Sequence, residues 1–209
     1  MQIEILDLGI NNLTSLELAL RRIGSNSVNI IQDANQSRNA NLFVLPGVGA
    51  FGAAVEELDN RFFRELLGNA KNSGVGIVGI CLGMQLLGDN SEETSESLGL
   101  ELIPGISKIL PKTAGMKIPN VGWYSTQLTK REFQFTSLNS CKDFYFVHSY
   151  EFIPENKSDI LCVSNYGNHK IVSGVQKENV IGFQFHPEKS ADIGGLLLEE
   201  VLEWANAKN

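Results

Sequence analysis

Cysteine is scarce in this sequence: three in 209 residues, at positions 81, 141 and 162. Three cysteines have neither the even count nor the density of a disulfide framework, and the lack of any CxxC pair removes the usual signal for structural zinc. No basic run exists either. The 17 Lys and Arg are scattered among 24 Asp and Glu, for a net charge of −7 and a pI near 5.0, which argues against nucleic acid or an anionic membrane as partner. The opening MQIEILDLG lacks the basic start, apolar stretch and small-residue cleavage site of a signal peptide, and no apolar run approaches membrane-spanning length. A soluble, cytoplasmic protein is the expectation. Repeats, low-complexity tracts and interdomain linkers are absent too. With 43% apolar residues, one domain covering 1–209 around one sizeable core is expected.

What is present is a rhythm. Short apolar runs alternate with helical patterns: IEIL at 3–6, Leu13 to Ile23, SVNII at 27–31, LFVL at 42–45, helical sequence over 53–71, and GIVGI at 76–80. This implies βαβ units and a mostly parallel sheet in an α/β fold. Asn12 fits an N-cap and Gly24 a helix stop. From about residue 105 strands come closer together: ISKIL at 106–110, YFV at 145–147, ILCVS at 160–164, IVSGVQ at 171–176 and VIGFQF at 180–185. These are expected as antiparallel additions to the sheet. KEN at 177–179 reads as a hairpin turn, with Asn179 tolerating the left-handed conformation. A last amphipathic helix, about Ile193 to Ala205, should bring Leu196, Leu197, Val201 and Leu202 onto the sheet.

Residues 79–83 read Gly-Ile-Cys-Leu-Gly between an apolar strand and the helical MQLLGD. A nucleophile at a tight strand-to-helix turn needs small neighbours, because the turn brings backbone close to the exposed side chain. Gly79 and Gly83 give that room, and a helix N-terminus beside the sulfur favours thiolate. An isolated cysteine is more commonly a buried strand residue, and the glycines are what raise Cys81 above that reading. Cys162, inside ILCVS, reads as core; Cys141, in polar NSCKD, reads as a surface or turn residue.

A thiol nucleophile needs a base within hydrogen-bond reach. Of three histidines, His186 ends a strand and is followed by Pro187 and Glu188. An i to i+2 spacing in extended chain can bring the Glu188 carboxylate beside the imidazole as its orienter. Alone the HPE triplet is weak; beside the cysteine elbow it completes a triad. His169, in the polar YGNHK turn, reads as solvated. His148, in FVHSY, reads equally as a satisfied core histidine or a residue lining the site.

Residues 47–52, Gly-Val-Gly-Ala-Phe-Gly, match GxGxxG after a strand. A dinucleotide site requires the next strand to end in an acidic residue, whereas here the next clear strand ends at Cys81. The better expectation is a loop whose backbone N–H groups, through Val48 or Gly49, join the Leu82 N–H to hold an oxyanion.

Together PGVGAFG at 46–52, GICLGMQLLG at 79–88, YFVHSY at 145–150 and GFQFHPEKS at 182–190 resemble the class I, triad-type glutamine amidotransferases, and among these the glutaminase subunits of imidazole glycerol phosphate synthase. The resemblance implies that Cys81 attacks the side-chain amide of glutamine, that His186 protonates the departing ammonia, and that water hydrolyses the thioester. It also implies that Gly47, Gln85, Glu93, His148, Ser149 and Tyr150 bind substrate. No cofactor and no metal are implied. The ammonia would pass to a separate (β/α)₈-barrel synthase, since this chain contains no barrel, across a face including Asn12, Trp123, Tyr145 and Lys189.

Two segments depart from the family pattern. Leu8 to Asn12 stands where YGxGN is usual, and Pro119 to Tyr124 replaces a PHMGWN-like stretch. They leave open a paralogue that supplies ammonia for amidino-sugar formation in surface polysaccharide. A non-catalytic regulatory subunit is a third reading, opposed by intact Cys81, Gln85, His186 and Glu188. A peptidase or γ-glutamyl hydrolase is a fourth, opposed by the FVHSY and FQFHPEKS blocks.

Overall fold

The computed structural model describes all residues except 10–12, 26, 113–115, 130–134, 140–141 and 208–209. Asn12 and Cys141 therefore lie outside the described residues. The first half runs β1 (Gln2–Leu6), α1 (Thr14–Arg22), β2 (Ser27–Ile31), β3 (Leu42–Gly47), α2 (Phe51–Asn60), α3 (Phe63–Ser73), β4 (Gly76–Cys81) and α4 (Leu82–Leu86). The second half runs β5 (Asn90–Ser91), β6 (Thr94–Leu98), β7 (Gly105–Ile109), β8 (Asn120–Leu128), β9 (Lys142–His148), β10 (Tyr150–Pro154), β11 (Ile160–Tyr166), β12 (His169–Lys177), β13 (Val180–Phe183) and α5 (Ala191–Asn206).

A nine-stranded sheet has the order β2-β1-β3-β4-β13-β12-β11-β8-β9. From β2 to β13 the strands are parallel, and from β12 to β9 antiparallel. β3, β4 and β13 read as continuous apolar runs because both their faces are buried, whereas the edge strand β2 is buried only at Val28 and Ile31. Leu42, Val44, Val78, Ile80, Ile181 and Phe183 join one core with α1 and α5; Phe43, Leu45, Ile77 and Val180 join the other with α2 and α3.

Four sequence expectations need correction. The helical stretch 53–71 is two helices, broken at Phe62, which has φ 59°. Leu58 and Phe63 are both buried, yet five residues apart they would point about 140° from each other on one unbroken helix, so the break lets both face the core. β7 does not join the large sheet but pairs with β10 in a four-stranded sheet of order β10-β7-β5-β6. The chain leaves the large sheet at Ser149, between β9 and β10, and the Ser149 carbonyl accepts from Leu110 N at 2.9 Å, so β7 follows β10 away. At the KEN turn the left-handed residue is Glu178, φ 54°, not Asn179. Asn179 is buried instead, its Nδ2 donating to the carbonyls of Ala70, Lys71 and Val75 at the end of α3. On α5, Leu196 is 52% exposed; the buried stripe is Gly194, Leu197, Leu198, Val201, Trp204 and Ala205, the i, i+3, i+4 and i+7 pattern from which 196 is rotated by about 100°.

Candidate active site

Three neighbouring parallel strands end at the same edge. Gly47 is the register partner of Cys81, and Phe183 that of Ile80, so the residues after β3, β4 and β13 converge there. This is the carboxyl-end crevice where open α/β sheets place their ligands. A cleft of about 270 Å³ lies there, lined by Val48, Gly49, Cys81, Leu82, Gln85, Glu93, Pro119, Val147, His148, Ser149 and Tyr150.

Cys81 sits at φ 56°, ψ −112°, which costs an L-residue about 1–3 kcal/mol and is held by its surroundings. The flanking glycines explain how. A Cβ on Gly83 would lie 1.8 Å from the Leu45 carbonyl oxygen, and one on Gly79 would lie 2.5 Å from that of Gly83. β3, β4 and α4 thus touch backbone to backbone, fixing the elbow. α4 has five residues, so its dipole can add little at the sulfur. Cys162 is fully buried, and burial pushes its thiol up, away from reactivity.

His186 is buried, and its Nδ1–H donates to Glu188 Oε1 at 2.8 Å. The backbone makes this pairing local: residues 187–189 form a 3₁₀ turn that folds the carboxylate back onto the ring. Burial by itself lowers the His186 pKa, but the Cys81 sulfur and then the Glu188 carboxylate overturn that and raise it to about 9. The raised value makes the ring a base strong enough to take the thiol proton of Cys81 at neutral pH. Because this value exceeds the ordinary 6.5, the group adds stability fully present below about pH 6.5 and lost as pH rises through about 9. His186 Nε2, the nitrogen away from Glu188, is buried with no well-formed hydrogen bond among the described residues, and the Cys81 sulfur that raises the ring's pKa is the group that meets it, which places this nitrogen for proton exchange with the thiol.

His148 combines both expectations, being buried and lining the cleft. Burial lowers its pKa to about 4, against the hydrogen bond to the Tyr150 carbonyl that raises it, with His186 lowering it further. The ring is neutral at pH 7. Its Nδ1 lies 2.8 Å from the Tyr150 carbonyl and its Nε2 2.9 Å from Asn120 Nδ2. Gln85 is buried as well, donating Nε2 to both the Tyr150 carbonyl and Gln184 Oε1 at 3.0 Å. Glu93 is exposed at the rim, and its Oε2 accepts from the Phe51 N–H at the start of α2. His169, expected as solvated, instead pairs its Nε2 with Glu151 Oε1 at 2.6 Å; Glu151 is buried, which raises its pKa, and the histidine is drawn to it.

Trp123 and Tyr145 face each other across β8 and β9, their ring centroids 5.8 Å apart in an edge contact. Trp123 is 50% exposed and Lys189 is exposed. Sequence reasoning missed Gln184, fully buried with its Nε2 3.9 Å from Cys81 Sγ, and Asn120. It also missed Ser190, whose hydroxyl donates to the His186 carbonyl at 2.6 Å while accepting from the Tyr145 N–H at 3.0 Å. The only available signal for Gln184 was a polar residue inside the apolar run VIGFQF.

The family model described as "Glutamine amidotransferase class-I" matches residues 4–200. The imidazole glycerol phosphate synthase subunit HisH of Aquifex aeolicus (strain VF5) is 38% identical over 199 residues, covering 95% of each chain. A second relative, "Imidazole glycerol phosphate synthase hisHF, chloroplastic" of Arabidopsis thaliana, is 38% identical over 202 residues, which are 96% of this chain but 34% of that longer one. Among solved structures, one described as a crystal structure of glutamine amidotransferase aligns over 99% of this chain and 100% of its own, with TM-score 0.75 at 15% identity, a likeness of fold.

Proposed function

The chain belongs to the class-I glutamine amidotransferase family, and from that premise we propose that it is the glutaminase subunit of an imidazole glycerol phosphate synthase in histidine biosynthesis, acting in the cytoplasm with residues 1–209 as one catalytic domain. The observation that carries the chemistry is a buried imidazole behind the cleft-lining Cys81, set between that sulfur on its strained elbow and a carboxylate.

The steps follow from the geometry. With its proton passed to His186, Cys81 Sγ attacks the side-chain amide carbon of glutamine. The carbonyl electrons move onto oxygen, held by the Leu82 N–H after the nucleophile and by the Val48–Gly49 backbone across the cleft. His186 gives its proton to the departing nitrogen as the C–N bond breaks, releasing ammonia and leaving a thioester. Water, deprotonated by the same ring, then breaks the C–S bond and frees glutamate. Glu93 receives the substrate α-amino group, while Gln85, His148, Ser149 and Tyr150 form the walls; Gly47, expected among them, does not line the cleft but is buried against Leu82, where a Cβ would lie 2.8 Å from the leucine's own.

Glu188→Gln should reduce turnover less than removing Cys81 does, because nucleophile and base both remain, and should bring the His186 titration down from about 9. Turnover at saturating glutamine and an NMR titration of the ring check this. Complete loss of turnover in a folded variant would show that the carboxylate does more than orient and charge-stabilise the ring.

The acceptor is a separate synthase subunit with a (β/α)₈-barrel, docked over the face that carries Trp123, Tyr145 and Lys189. Continuity with the cleft supports this: Val147 lines the cleft and shares a strand with Tyr145. The backbone of Tyr145 also brackets the base, its carbonyl accepting from His186 N at 2.9 Å and its N–H donating to Ser190. On this reading a partner that shifts the Tyr145 backbone would carry the His186 backbone with it. The isolated chain should hydrolyse glutamine slowly and the synthase should accelerate it. Lys189→Ala should weaken that acceleration several-fold and leave the slow basal rate nearly unchanged. Glutamate release with and without partner measures both, and unaltered activation would exclude Lys189 from the coupling.

A further inference from the structure

We propose that Gln184 is a positioning residue for the nucleophile, its amide locked with the N–H end toward Cys81 Sγ by a relay of hydrogen bonds that begins at the Tyr150 carbonyl. The inference rests on Cys81 being the nucleophile and adds what holds its sulfur ready.

The argument is one of hydrogen-bond polarity. A backbone carbonyl can only accept, so both groups that meet the Tyr150 oxygen must donate to it. His148 therefore carries its proton on Nδ1. Being neutral, it has a bare Nε2, and Asn120 must present Nδ2 to it, not oxygen. Gln85 likewise must turn its Nε2 to the Tyr150 oxygen, and the same nitrogen reaches Gln184 Oε1 at 3.0 Å. That leaves the Gln184 nitrogen facing Cys81 Sγ at 3.9 Å. Each amide is oriented by the one before it, and the chain has a single consistent direction.

The sulfur lies between opposite requirements. Its thiol hydrogen can be donated to the Val147 carbonyl, 3.7 Å away, whereas the Gln184 N–H needs an acceptor. A thiol is a poor acceptor and a thiolate a strong one, so transfer of the proton to His186 exchanges the first contact for the second. Gln184 is fully buried, out of reach of bulk solvent, which makes that exchange count. The other ionisable groups around the sulfur are His186, Glu188 behind it, neutral His148, and Glu93 at the rim. Of these only His186 also favours thiolate directly. Gln184 does not line the cleft, so its influence runs through the sulfur and not through substrate.

The test uses the full chain and iodoacetamide, with alkylation followed peptide by peptide across a pH series. Gln184→Met, similar in size but without the amide, should shift the Cys81 profile to higher pH, with alkylation about tenfold slower below the wild-type midpoint. With the synthase present its kcat should fall by about the same factor while KM for glutamine holds. Gln184→Glu should be slower still once its carboxylate ionises. An unmoved profile in a folded Gln184→Met variant, or a KM increase in place of a kcat loss, would overturn the proposal. If neither variant folds, the wild-type protein decides: the Gln184 side-chain amide resonance should shift as the Cys81 thiol titrates and stay constant in Cys81→Ala. An amide resonance indifferent to that thiol would overturn it too. Persistent glutamine hydrolysis by Cys81→Ala would instead remove the nucleophile assignment itself, an outcome distinct from a failure of Gln184 alone.

Discussion

Cys81→Ala should abolish glutamine hydrolysis, by at least about 10⁴-fold with the synthase present, because no other group in the cleft can form the thioester. Among the described residues the only other cysteine is Cys162, which is fully buried in β11 and does not line the cleft. Stability should change little, by about 1 kcal/mol, since alanine keeps the Cβ and the backbone strain and gives up only the long, weak contacts of the sulfur with Val147, Gln184 and His186. Glutamate release and thermal melting measure the two quantities. Wild-type turnover in the variant would sink the triad, and a collapsed melting temperature would make the cysteine a structural residue first.

Gly83→Ala should have the largest effect on stability. Its Cβ would lie 1.8 Å from the Leu45 oxygen, a backbone atom that cannot swing aside, so β3 or α4 must move. The expected cost is about 3 kcal/mol or more, which for a chain of this size lowers the melting temperature by about 6–12 °C. Activity should be lost beyond what unfolding explains, because α4 carries the Leu82 N–H opposite Val48 and Gly49. A variant that melts like wild type would show that the elbow relaxes more freely than its contacts imply.

The inner parallel strands were legible in the sequence because apolar runs buried on both faces carry their own signal, and the half-exposed edge strand β2 because the β-branched Val28, Ile30 and Ile31 mark it. β2 was placed residue for residue, and β1, β3 and β4 to within an end. β8 was missed since Asn120, Gly122 and Ser125 interrupt its pattern, and β6, spelled TSESL, has no apolar face to read. The break at Phe62 was hidden because neither proline nor glycine marks it; the tertiary demand on Leu58 and Phe63 sets it. For the site, sequence pattern pointed to residues beside the glycine turn and the HPE triplet. It could not show that Gln184 reaches the sulfur, or that Ser190 ties Tyr145 to His186. Those contacts join Gln184 and Ser190, both beyond the end of β13, to residues of β4 and β9 far away in sequence, and only the strand order and register of the folded sheet bring them together.

That register also sets an order of events during synthesis. β13 lies between β4 and β12, so the strand joining the two halves of the sheet is made almost last. Until residues 180–183 leave the ribosome, the nascent chain can assemble β2-β1-β3-β4 on one side and β12-β11-β8-β9 on the other, with nothing between them. β4, entirely apolar and meant for the interior, then presents an unpaired edge, a hazard for association with other nascent chains. The nucleophile is made long before the base that serves it, since His186 follows β13. A chain cut short before that strand would hold the elbow cysteine but lack both its base and the strand that covers β4, and it should be found in the insoluble fraction.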